Sequence, residues 1–554
     1  MRTGGQILVD SLVQQGADLA FCVPGESYLA VLDALYDAQA ALRLIICRQE
    51  GGAAYMAEAY GKLTGQPGIV FVTRGPGASN AAIGIHTAQQ DSTPLIVFIG
   101  QVGSNFVDRE AFQEIDYNRM YGGIAKWVTR IDRAERIPEY VARAYRVALA
   151  GRPGPVVLAL PEDMLTSTAD AVAAPRVEAV SVSPSASQMA RVRELLAAAQ
   201  RPLVIAGGAG WSVAACADLR RFAEANDLPV ASAFRNQDVV DNDLPFYAGE
   251  VGIAPNPKLA ARVRNADLLL VIGERLGEMV TGGYTLLAAP RPQPILIHVL
   301  PGEEDLGRVF HPALAIVASV PAFAAALAQL PPVTDPVWQG TAAAAHADYL
   351  AWQAPRPMPG ALDMWQVVAS LRAALPHDAI VTNGAGNYTV WLHRLFQYRG
   401  YRSQLAPYDG AMGYGVPSAI AAKIVHPERV VVSWNGDGCF QMNGQELATA
   451  VQYAANVVFI VVDNGMYGTI RMHQEREYPA RVVGTDLVNP DFAALARAHG
   501  ALGETVTKTA EFAPALQRAL SAGKPALLHL RIDPQAITMS ATIDDLRAQA
   551  RKPG

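Results

Sequence analysis

The stretch Val430-Val-Val-Ser-Trp-Asn-Gly-Asp-Gly-Cys439 is an apolar run that ends in Gly436-Asp437-Gly438. After residues 445–450, which are predicted to be helical, comes a second apolar run, residues 457–462, followed by Asp463-Asn464-Gly465. Short apolar runs bounded by glycine are typical of buried strands, and a helix between two of them predicts a parallel pair. Because parallel strands end at one edge of their sheet, where open α/β sheets bind ligands, we expect Asp437 and Asn464 to lie close together.

These two positions suit a divalent cation beside a phosphate. Asp437 supplies a carboxylate oxygen and Asn464 an amide oxygen, which are ligands that Mg²⁺ or Ca²⁺ accepts. The glycines beside Asp437 would let a diphosphate approach the backbone. Each motif alone is most often an ordinary turn, but the pair, with each member after a buried strand, is far more specific.

The same alternation of apolar runs and helical stretches divides the chain into three blocks. Its 554 residues fit three or four domains at about 100–200 residues each. The predicted strands are residues 44–47, 68–72, 95–99, 156–160, 203–206, 268–272, 295–299, 379–382, 430–433, 457–462 and 526–532. We predict three α/β domains, each a doubly wound parallel sheet, at residues 1–165, 188–330 and 360–535. Residues 166–187 and 331–359, rich in Pro, Ala and other small residues, are predicted as linkers.

The composition excludes several classes of protein. Lys plus Arg is 45 and Asp plus Glu is 51, so the net charge of −6 argues against binding nucleic acid through net charge. The four cysteines form no CxxC motif, which fits a reducing compartment and gives no metal site. The N-terminus does not resemble a secretory signal, and the apolar runs are far shorter than the roughly 20 residues that span a bilayer. We therefore expect a cytoplasmic protein that binds neither nucleic acid nor membrane.

The paired motif resembles the thiamine diphosphate motif of the acetolactate synthase and 2-oxo acid decarboxylase superfamily. Asp463 stands where that motif usually has a first asparagine, whereas the metal-binding second asparagine is kept as Asn464. The resemblance implies that Mg²⁺ is bound by Asp437, Asn464 and the backbone carbonyl of Met466. It also places four further residues at the cofactor: Gly436, Gly438, Tyr467 and Gly468.

A glutamate in the first block extends this resemblance. Glu50 follows a predicted strand at the start of a helix, and alone it would be interpreted as a first-turn acid that complements the helix dipole. In the superfamily the matching glutamate hydrogen-bonds N1′ of the aminopyrimidine and promotes its imino tautomer, whose N4′ removes the C2 proton of the thiazolium. The resemblance therefore implies that Glu50 is catalytic.

Other segments similar to acetolactate synthases cover nearly the whole chain. Met412, within Gly410-Ala-Met412-Gly, matches the bulky apolar residue that supports the bent cofactor. The remaining predicted site residues are Gly25, Thr73 and Asn80 at the cofactor and Gln113 in catalysis. The blocks then correspond to a pyrimidine-binding, a central Rossmann-like and a diphosphate-binding domain. Because Glu50 and the diphosphate site lie in different domains, the resemblance implies active sites between two subunits, with a homodimer as the minimum and a homotetramer as the expected assembly.

The middle block leaves two alternatives open. Val204-Ile-Ala-Gly-Gly-Ala-Gly210 is a predicted strand that runs into a glycine-rich turn, but it lacks a full GxGxxG. The corresponding domain binds FAD in acetolactate synthases and ADP in oxalyl-CoA decarboxylases, and Arg275 falls where flavin-binding relatives have an arginine. The turn either cradles FAD or ADP, or holds no ligand.

Three departures from the acetolactate synthase pattern concern the substrate. Met279 replaces an arginine that recognises the carboxylate of the acceptor, Glu162 replaces a lysine, and His473 replaces a tryptophan of the acceptor pocket. Methionine offers no hydrogen-bonding fork, so we expect weak discrimination for a second 2-oxo acid as acceptor. Arg471, His473 and Arg74 are the candidates to replace the lost charge, and His473 is predicted as a catalytic pocket residue.

These residues favour an enzyme that acts on a small molecule, a 2-oxo acid or related acyl donor. The resemblance implies an enamine intermediate that is protonated or transferred to a carbonyl acceptor. The alternatives are a non-oxidative 2-oxo acid decarboxylase and a flavin-dependent, pyruvate oxidase-like oxidoreductase. A protein that has kept the fold without catalysis would be expected to have lost Glu50, Asp437 or Asn464, and all three are present.

Overall fold

Three six-stranded sheets organise residues 1–551, the part of the chain that the computed structural model describes. Strands within each sheet pair only in parallel, with helices between successive strands. The inner strands are buried on both faces, as parallel sheets covered by helices require. The predicted fold class, three doubly wound α/β domains, is confirmed.

The N-terminal unit contains helices α1 Gly4–Gln15, α2 Leu29–Asp37, α3 Glu50–Thr64, α4 Pro76–Asp91, α5 Tyr117–Tyr121, α6 Ile137–Leu149 and α7 Glu162–Thr166. Its strands are β1 Arg2–Thr3, β2 Leu19–Cys22, β3 Arg43–Ile46, β4 Gly68–Val72, β5 Leu95–Gln101, β6 Trp127–Arg130, β7 Pro155–Pro161 and β8 Thr168–Ala169. The predicted linker 166–187 is in part wrong, because β8 within it pairs antiparallel with β1 and ties the segment to this unit.

The central unit contains helices α8 Ala186–Ala198, α9 Val213–Asn226, α10 Pro257–Asn265 and α11 Val320–Leu327, and α12 Thr341–Trp352 lies in the segment that follows. Its strands are β9 Pro202–Ala206, β10 Val230–Ala233, β11 Tyr247–Val251, β12 Leu268–Ile272, β13 Ile295–Leu300 and β14 Leu314–Val317.

The C-terminal unit contains helices α13 Met364–Ala374, α14 Tyr388–Leu395, α15 Gly415–Val425, α16 Asp437–Gln441, α17 Leu447–Gln452, α18 Gly468–Glu477, α19 Phe492–Ala498, α20 Thr509–Leu520 and α21 Ile543–Ala550. Its strands are β15 Ile380–Asn383, β16 Gln404–Leu405, β17 Val431–Gly436, β18 Val458–Asp463, β19 Leu502–Val506 and β20 Ala526–Arg531.

The sheets follow two different strand orders. The N-terminal order is β3-β2-β4-β5-β7-β6 and the C-terminal order is β16-β15-β17-β18-β20-β19, so the two outer units share one topology. The central order, β11-β10-β9-β12-β13-β14, is the 3-2-1-4-5-6 order typical of dinucleotide-binding sheets. In each sheet the order reverses between two neighbouring strands, and the crevice beyond their carboxyl ends is where such folds bind ligands.

The outer units pack tightly against each other through α3 and α15, whose apolar residues belong to one core cluster. A buried polar group crosses this contact: Lys62 contacts both Glu58 and Asp91, and Glu58 Oε2 accepts a 2.6 Å hydrogen bond from the Tyr414 hydroxyl. Among residues 1–551, no helix combines the length and the apolar character needed to cross a membrane.

Candidate active site

A cavity of about 260 Å³ lies at the carboxyl edge of the C-terminal sheet. It opens beside the ends of β15, β17 and β18, and the strand order of this sheet reverses between β15 and β17. The residues that line it include eight predicted from the sequence: Met412, Gly436, Asp437, Gly438, Asn464, Met466, Tyr467 and Gly468. The fold thus brings the two halves of the paired motif together at the crevice where open α/β sheets bind ligands.

Three helices begin at this cavity. The first residues of α14, α16 and α18, namely Tyr388, Asp437 and Gly468, all line it. The first backbone N–H groups of a helix have no partner within the helix, and the helix dipole makes that end positive. This edge of the sheet is therefore suited to an anion such as a diphosphate.

Close packing explains the glycines of the Gly436-Asp437-Gly438 motif. A Cβ atom on Gly436 would lie 2.6 Å from the ring of Tyr388, and one on Gly438 would lie 2.6 Å from the ring of Tyr467. Any side chain at either position would therefore collide with a tyrosine of the cavity wall. The two glycines allow the turn after β17 to sit between these rings.

The oxygen donors at the cavity fit Mg²⁺. Asp437 and Asn464 both line it, and Met466 lies two residues beyond Asn464 with its backbone carbonyl as a third oxygen. A carboxylate, an amide and a carbonyl form a hard, oxygen-only set, which is the chemistry that Mg²⁺ requires. Burial raises the pKa of Asp437 to about 6, and the neighbouring carboxylate of Asp463 contributes to the rise.

Asp463, the residue that departs from the usual motif, lies between Asp437 and His529. Its Oδ2 lies 2.7 Å from His529 Nε2, and its Oδ1 accepts hydrogen bonds from Asn489 Nδ2 at 2.8 Å and from the Gly465 N–H at 2.9 Å. Burial favours a higher pKa for Asp463, but these hydrogen bonds, led by that of His529, hold it at about 2. Asp463 is therefore a carboxylate.

Sequence reasoning missed several residues of this edge. Gly386, Asn387 and Tyr388 line the cavity after β15, and the strand-then-glycine signal that marked the other two loops is present there in Gly384-Ala-Gly-Asn387. Asn489, in contrast, follows no strand and belongs to no motif. Its place beside Asp437 arises only from the folded chain.

The N-terminal unit holds a second group of predicted residues around Glu50. The side chain of Gln49 caps α3 by accepting a 3.0 Å hydrogen bond from the Gly52 N–H, so Glu50 is not needed as the cap. Instead, Glu50 Oε2 accepts a 2.9 Å hydrogen bond from Asn80 Nδ2. The carboxylate of Glu446, from the C-terminal unit, accepts the backbone N–H groups of Arg48 and Gln49, each at 3.0 Å. The turn before Glu50 is thus held by the C-terminal unit.

The other predicted residues of this unit lie at the same edge of the N-terminal sheet. A Cβ atom on Gly25 would lie 2.4 Å from Thr73 Cβ, so these two predicted residues are in contact. Gln113 adopts a left-handed backbone conformation, with φ of 65°, and packs against Gly75. The cavity of the C-terminal unit is lined by residues between Ala385 and Ile537, so none of these N-terminal groups contributes to it within one chain.

Comparison with known proteins matches all three units to one family. Residues 2–120 match the model of the thiamine pyrophosphate enzyme N-terminal TPP binding domain, residues 189–327 the central domain, and residues 384–530 the C-terminal TPP binding domain. Acetolactate synthase isozyme 2 large subunit of Escherichia coli (strain K12) is 30% identical over 532 residues, which cover 96% of this chain and 95% of the relative. The chain belongs to the thiamine pyrophosphate enzyme family.

Two further relatives of this thiamine pyrophosphate enzyme show how widely the similarity extends. The acetolactate synthase large subunit of Parasynechococcus marenigrum (strain WH8102) is 33% identical, with 96% of this chain and 87% of the relative covered. The probable acetolactate synthase large subunit of Methanocaldococcus jannaschii is 31% identical, with 96% and 92% covered. Thiamine pyrophosphate is the compound called thiamine diphosphate above.

In this thiamine pyrophosphate enzyme, two of the candidate replacement charges are already paired. Arg74 contacts Glu162, the residue that stands in place of lysine, and lies 3.6 Å from Glu26. Arg471 lies 2.9 Å from the buried Glu475. Both guanidinium groups are therefore engaged with carboxylates of the chain itself.

Met279 and His473, the other two residues that depart from the acetolactate synthase pattern, do not line the cavity of this chain. Met279 packs against the apolar cluster of the central unit. His473 lies on the exposed face of α18, beyond Ile470, the last residue of that helix to line the cavity. The role of His473 in catalysis stays a prediction.

The crevice of the central sheet leaves no room for a nucleotide. A Cβ atom on Gly208 would lie 2.0 Å from the carbonyl oxygen of Gly273, so the turns after β9 and β12 meet backbone to backbone. The cavity there measures about 20 Å³, which is room for about one water molecule. Arg152, Arg275 and Asp305 line this small space. In this conformation the space is too small for FAD or ADP.

Proposed function

We propose that this chain is a thiamine diphosphate- and Mg²⁺-dependent carboligase that takes its donor from a 2-oxo acid, an enzyme of the acetolactate synthase kind. One observation carries the proposal: Asp437 and Asn464 line one cavity beside the switch point of the C-terminal sheet, and three helices begin at this cavity. The bound cofactor would supply a carbon nucleophile that attacks the keto carbon and accepts the electrons released with CO₂.

The residues of the chain would bind, orient and exchange protons. Asp437, Asn464 and the Met466 carbonyl would hold Mg²⁺, and the helix starts of α14 and α18 would bind the diphosphate. Met412 would support the cofactor from the cavity wall. Glu50, oriented by Asn80, would exchange a proton with the aminopyrimidine N1′ through its carboxylate.

We further propose that two chains complete each site. The cavity is lined by the C-terminal unit alone, whereas Glu50 lies on another unit with its carboxylate partly exposed. Apolar side chains near Glu50 are also exposed, at 44% for Ile83 and 74% for Phe112, as at an interface that a second copy would cover. A homodimer is the minimum assembly, and a homotetramer is expected.

Simple decarboxylation is the second candidate. Met279 offers no donor for a carboxylate, and Arg74 and Arg471 are engaged with glutamates, so the usual recognition of a second 2-oxo acid is lost. The filled central crevice speaks against a flavin-dependent oxidoreductase.

Product analysis by NMR tests the proposal. The full chain is supplied with thiamine diphosphate, Mg²⁺ and pyruvate, with and without FAD and with and without added acetaldehyde as acceptor. The proposal predicts acetolactate or, with the aldehyde, acetoin, and no effect of FAD. Acetaldehyde as the sole product would favour the decarboxylase, and pyruvate that is not consumed would contradict pyruvate as donor.

A further inference from the structure

A hydrogen-bonded group of three side chains lies directly behind the proposed metal ligands. Asn489 Nδ2 donates to Asp437 Oδ2 and to Asp463 Oδ1, at 2.8 Å in each case. The backbone N–H of Gly465 lies between the same two carboxylates, 3.0 Å from Asp437 Oδ2 and 2.9 Å from Asp463 Oδ1. Two donors thus bridge two acids that would otherwise repel each other.

The far side of this group rests on rigid elements. His529 lies within β20, opposite Val461 of β18, and its Nε2 is 2.7 Å from Asp463 Oδ2. The ring of Phe492, the first residue of α19, packs edge-on against His529 with 5.1 Å between ring centroids. His529 is 4% exposed and lies in β20, an inner strand of the sheet. Its ring therefore holds a fixed position beside Asp463.

The count of donors on Asp437 shows what this group does. Oδ2 accepts two hydrogen bonds, from Asn489 and Gly465, whereas Oδ1 accepts one, from the Gly438 N–H at 2.9 Å. A carboxylate oxygen has about two lone-pair sites, so Oδ2 is saturated and Oδ1 keeps one site free. The bridge therefore selects which oxygen of Asp437 remains available to a cation.

We propose that Asn489, supported by Asp463 and His529, is a positioning residue that orients the Asp437 carboxylate for the divalent cation. This inference rests on the proposed function, because it assumes that Asp437 is a metal ligand. It also gives position 463 a structural role: the aspartate there accepts hydrogen bonds from Asn489 and Gly465 through Oδ1 and contacts His529 through Oδ2.

The test measures metal binding rather than turnover. Mn²⁺, which prefers the same oxygen ligands, is titrated into the full chain with thiamine diphosphate, and free Mn²⁺ is read by electron paramagnetic resonance. Loss of a partner that orients a ligand typically weakens metal affinity about 10- to 100-fold, so Asn489→Ala should raise the Kd for Mn²⁺ by that factor. The thermal midpoint of the metal-free chain serves as the check on folding.

Gln441→Ala is the matched control. Gln441 Nε2 donates to Asn489 Oδ1 at 2.9 Å, so this variant removes a hydrogen bond from the same amide on the side away from Asp437. Its Kd should equal that of the wild type. Asp463→Ala, which removes an acceptor of both Asn489 and the Gly465 N–H, provides a second variant and should also weaken Mn²⁺ binding.

The outcomes separate this inference from the proposed function. Wild type that binds Mn²⁺ while Asn489→Ala and Asp463→Ala bind it equally well would overturn the inference alone. Equal weakening in Gln441→Ala and Asn489→Ala would also overturn it, because the contact with Asp437 would then not matter. Wild type that binds no Mn²⁺ with thiamine diphosphate would overturn both the inference and the proposed function.

Discussion

The central and C-terminal units present the same kind of crevice, and only one of them is open. The central sheet has the strand order typical of dinucleotide-binding folds, yet Gly208 and Gly273 meet at its switch point and leave about 20 Å³. The C-terminal sheet opens a cavity of about 260 Å³ at its own switch point, beside Asp437 and Asn464. Topology places a crevice at a predictable edge, but the side chains and turns at that edge decide whether it can hold a ligand.

The largest effect on metal binding is expected at the cavity of the C-terminal sheet. Asp437→Ala removes the only carboxylate of the proposed donor set, so the loss of Mn²⁺ affinity should exceed the about 100-fold upper range for residues that merely orient a ligand. Direct Mn²⁺ titration measures it. Asp305→Ala, at the closed crevice, is the control and should retain the metal affinity of the wild type. A similar loss of Mn²⁺ affinity in both variants would contradict the expected difference between the C-terminal and central crevices.

Glu50→Gln should slow turnover about 10²- to 10⁴-fold, the usual contribution of a positioned acid–base group. Glutamine keeps the shape and an oxygen that accepts the Asn80 hydrogen bond, so the Kd of thiamine diphosphate should not change. Steady-state kinetics and calorimetric titration measure the two quantities. Normal turnover in Glu50→Gln would exclude Glu50 from the mechanism.

The central unit, like the C-terminal unit, contains a buried acid with a raised pKa. Burial raises the pKa of Glu250 to about 7, so the folded chain binds a proton there that the unfolded chain releases near pH 4.5. This residue therefore contributes a loss of stability as the pH rises from about 4.5 to 7, on the order of 2–3 kcal/mol. Glu250→Gln should flatten that part of the stability profile in urea unfolding. An unchanged slope would contradict the assignment.

The smallest effect on stability is expected from FAD and ADP. At 100 times its Kd, a ligand that binds only the folded state adds about 2.7 kcal/mol of stability. Thiamine diphosphate with Mg²⁺ should therefore raise the thermal midpoint clearly, whereas FAD or ADP should leave it unchanged. A yellow protein that retains flavin through gel filtration would show that the central crevice opens in solution.

Local sequence signals predicted the parts of the fold that are themselves local. Long apolar runs identified inner strands such as β4, β12 and β18, because strands buried on both faces need uninterrupted apolar residues. Most of the missed strands, among them β14 and β19, lie at sheet edges. β14 is only four residues long and β19 is interrupted by polar residues, so neither forms a long apolar run.

The residues of the candidate site also divide into those that local sequence predicts and those that it does not. The loops after β17 and β18 were predictable because each carries its polar residue directly after an apolar run. Asn489 and His529 were not, since neither belongs to a motif and both reach the site through tertiary contacts. In the proposed dimer Glu50 would meet the cavity of a second chain, and no local pattern in the sequence specifies that meeting.

The position of the bound metal tests the central claim most directly. Crystals of the full chain grown with thiamine diphosphate and Mn²⁺ would be measured at the manganese absorption edge, and the anomalous difference map would locate the ion. The account predicts one peak per chain, within bonding distance of Asp437, Asn464 and the Met466 carbonyl. A peak elsewhere, with none between Asp437 and Asn464, would contradict it.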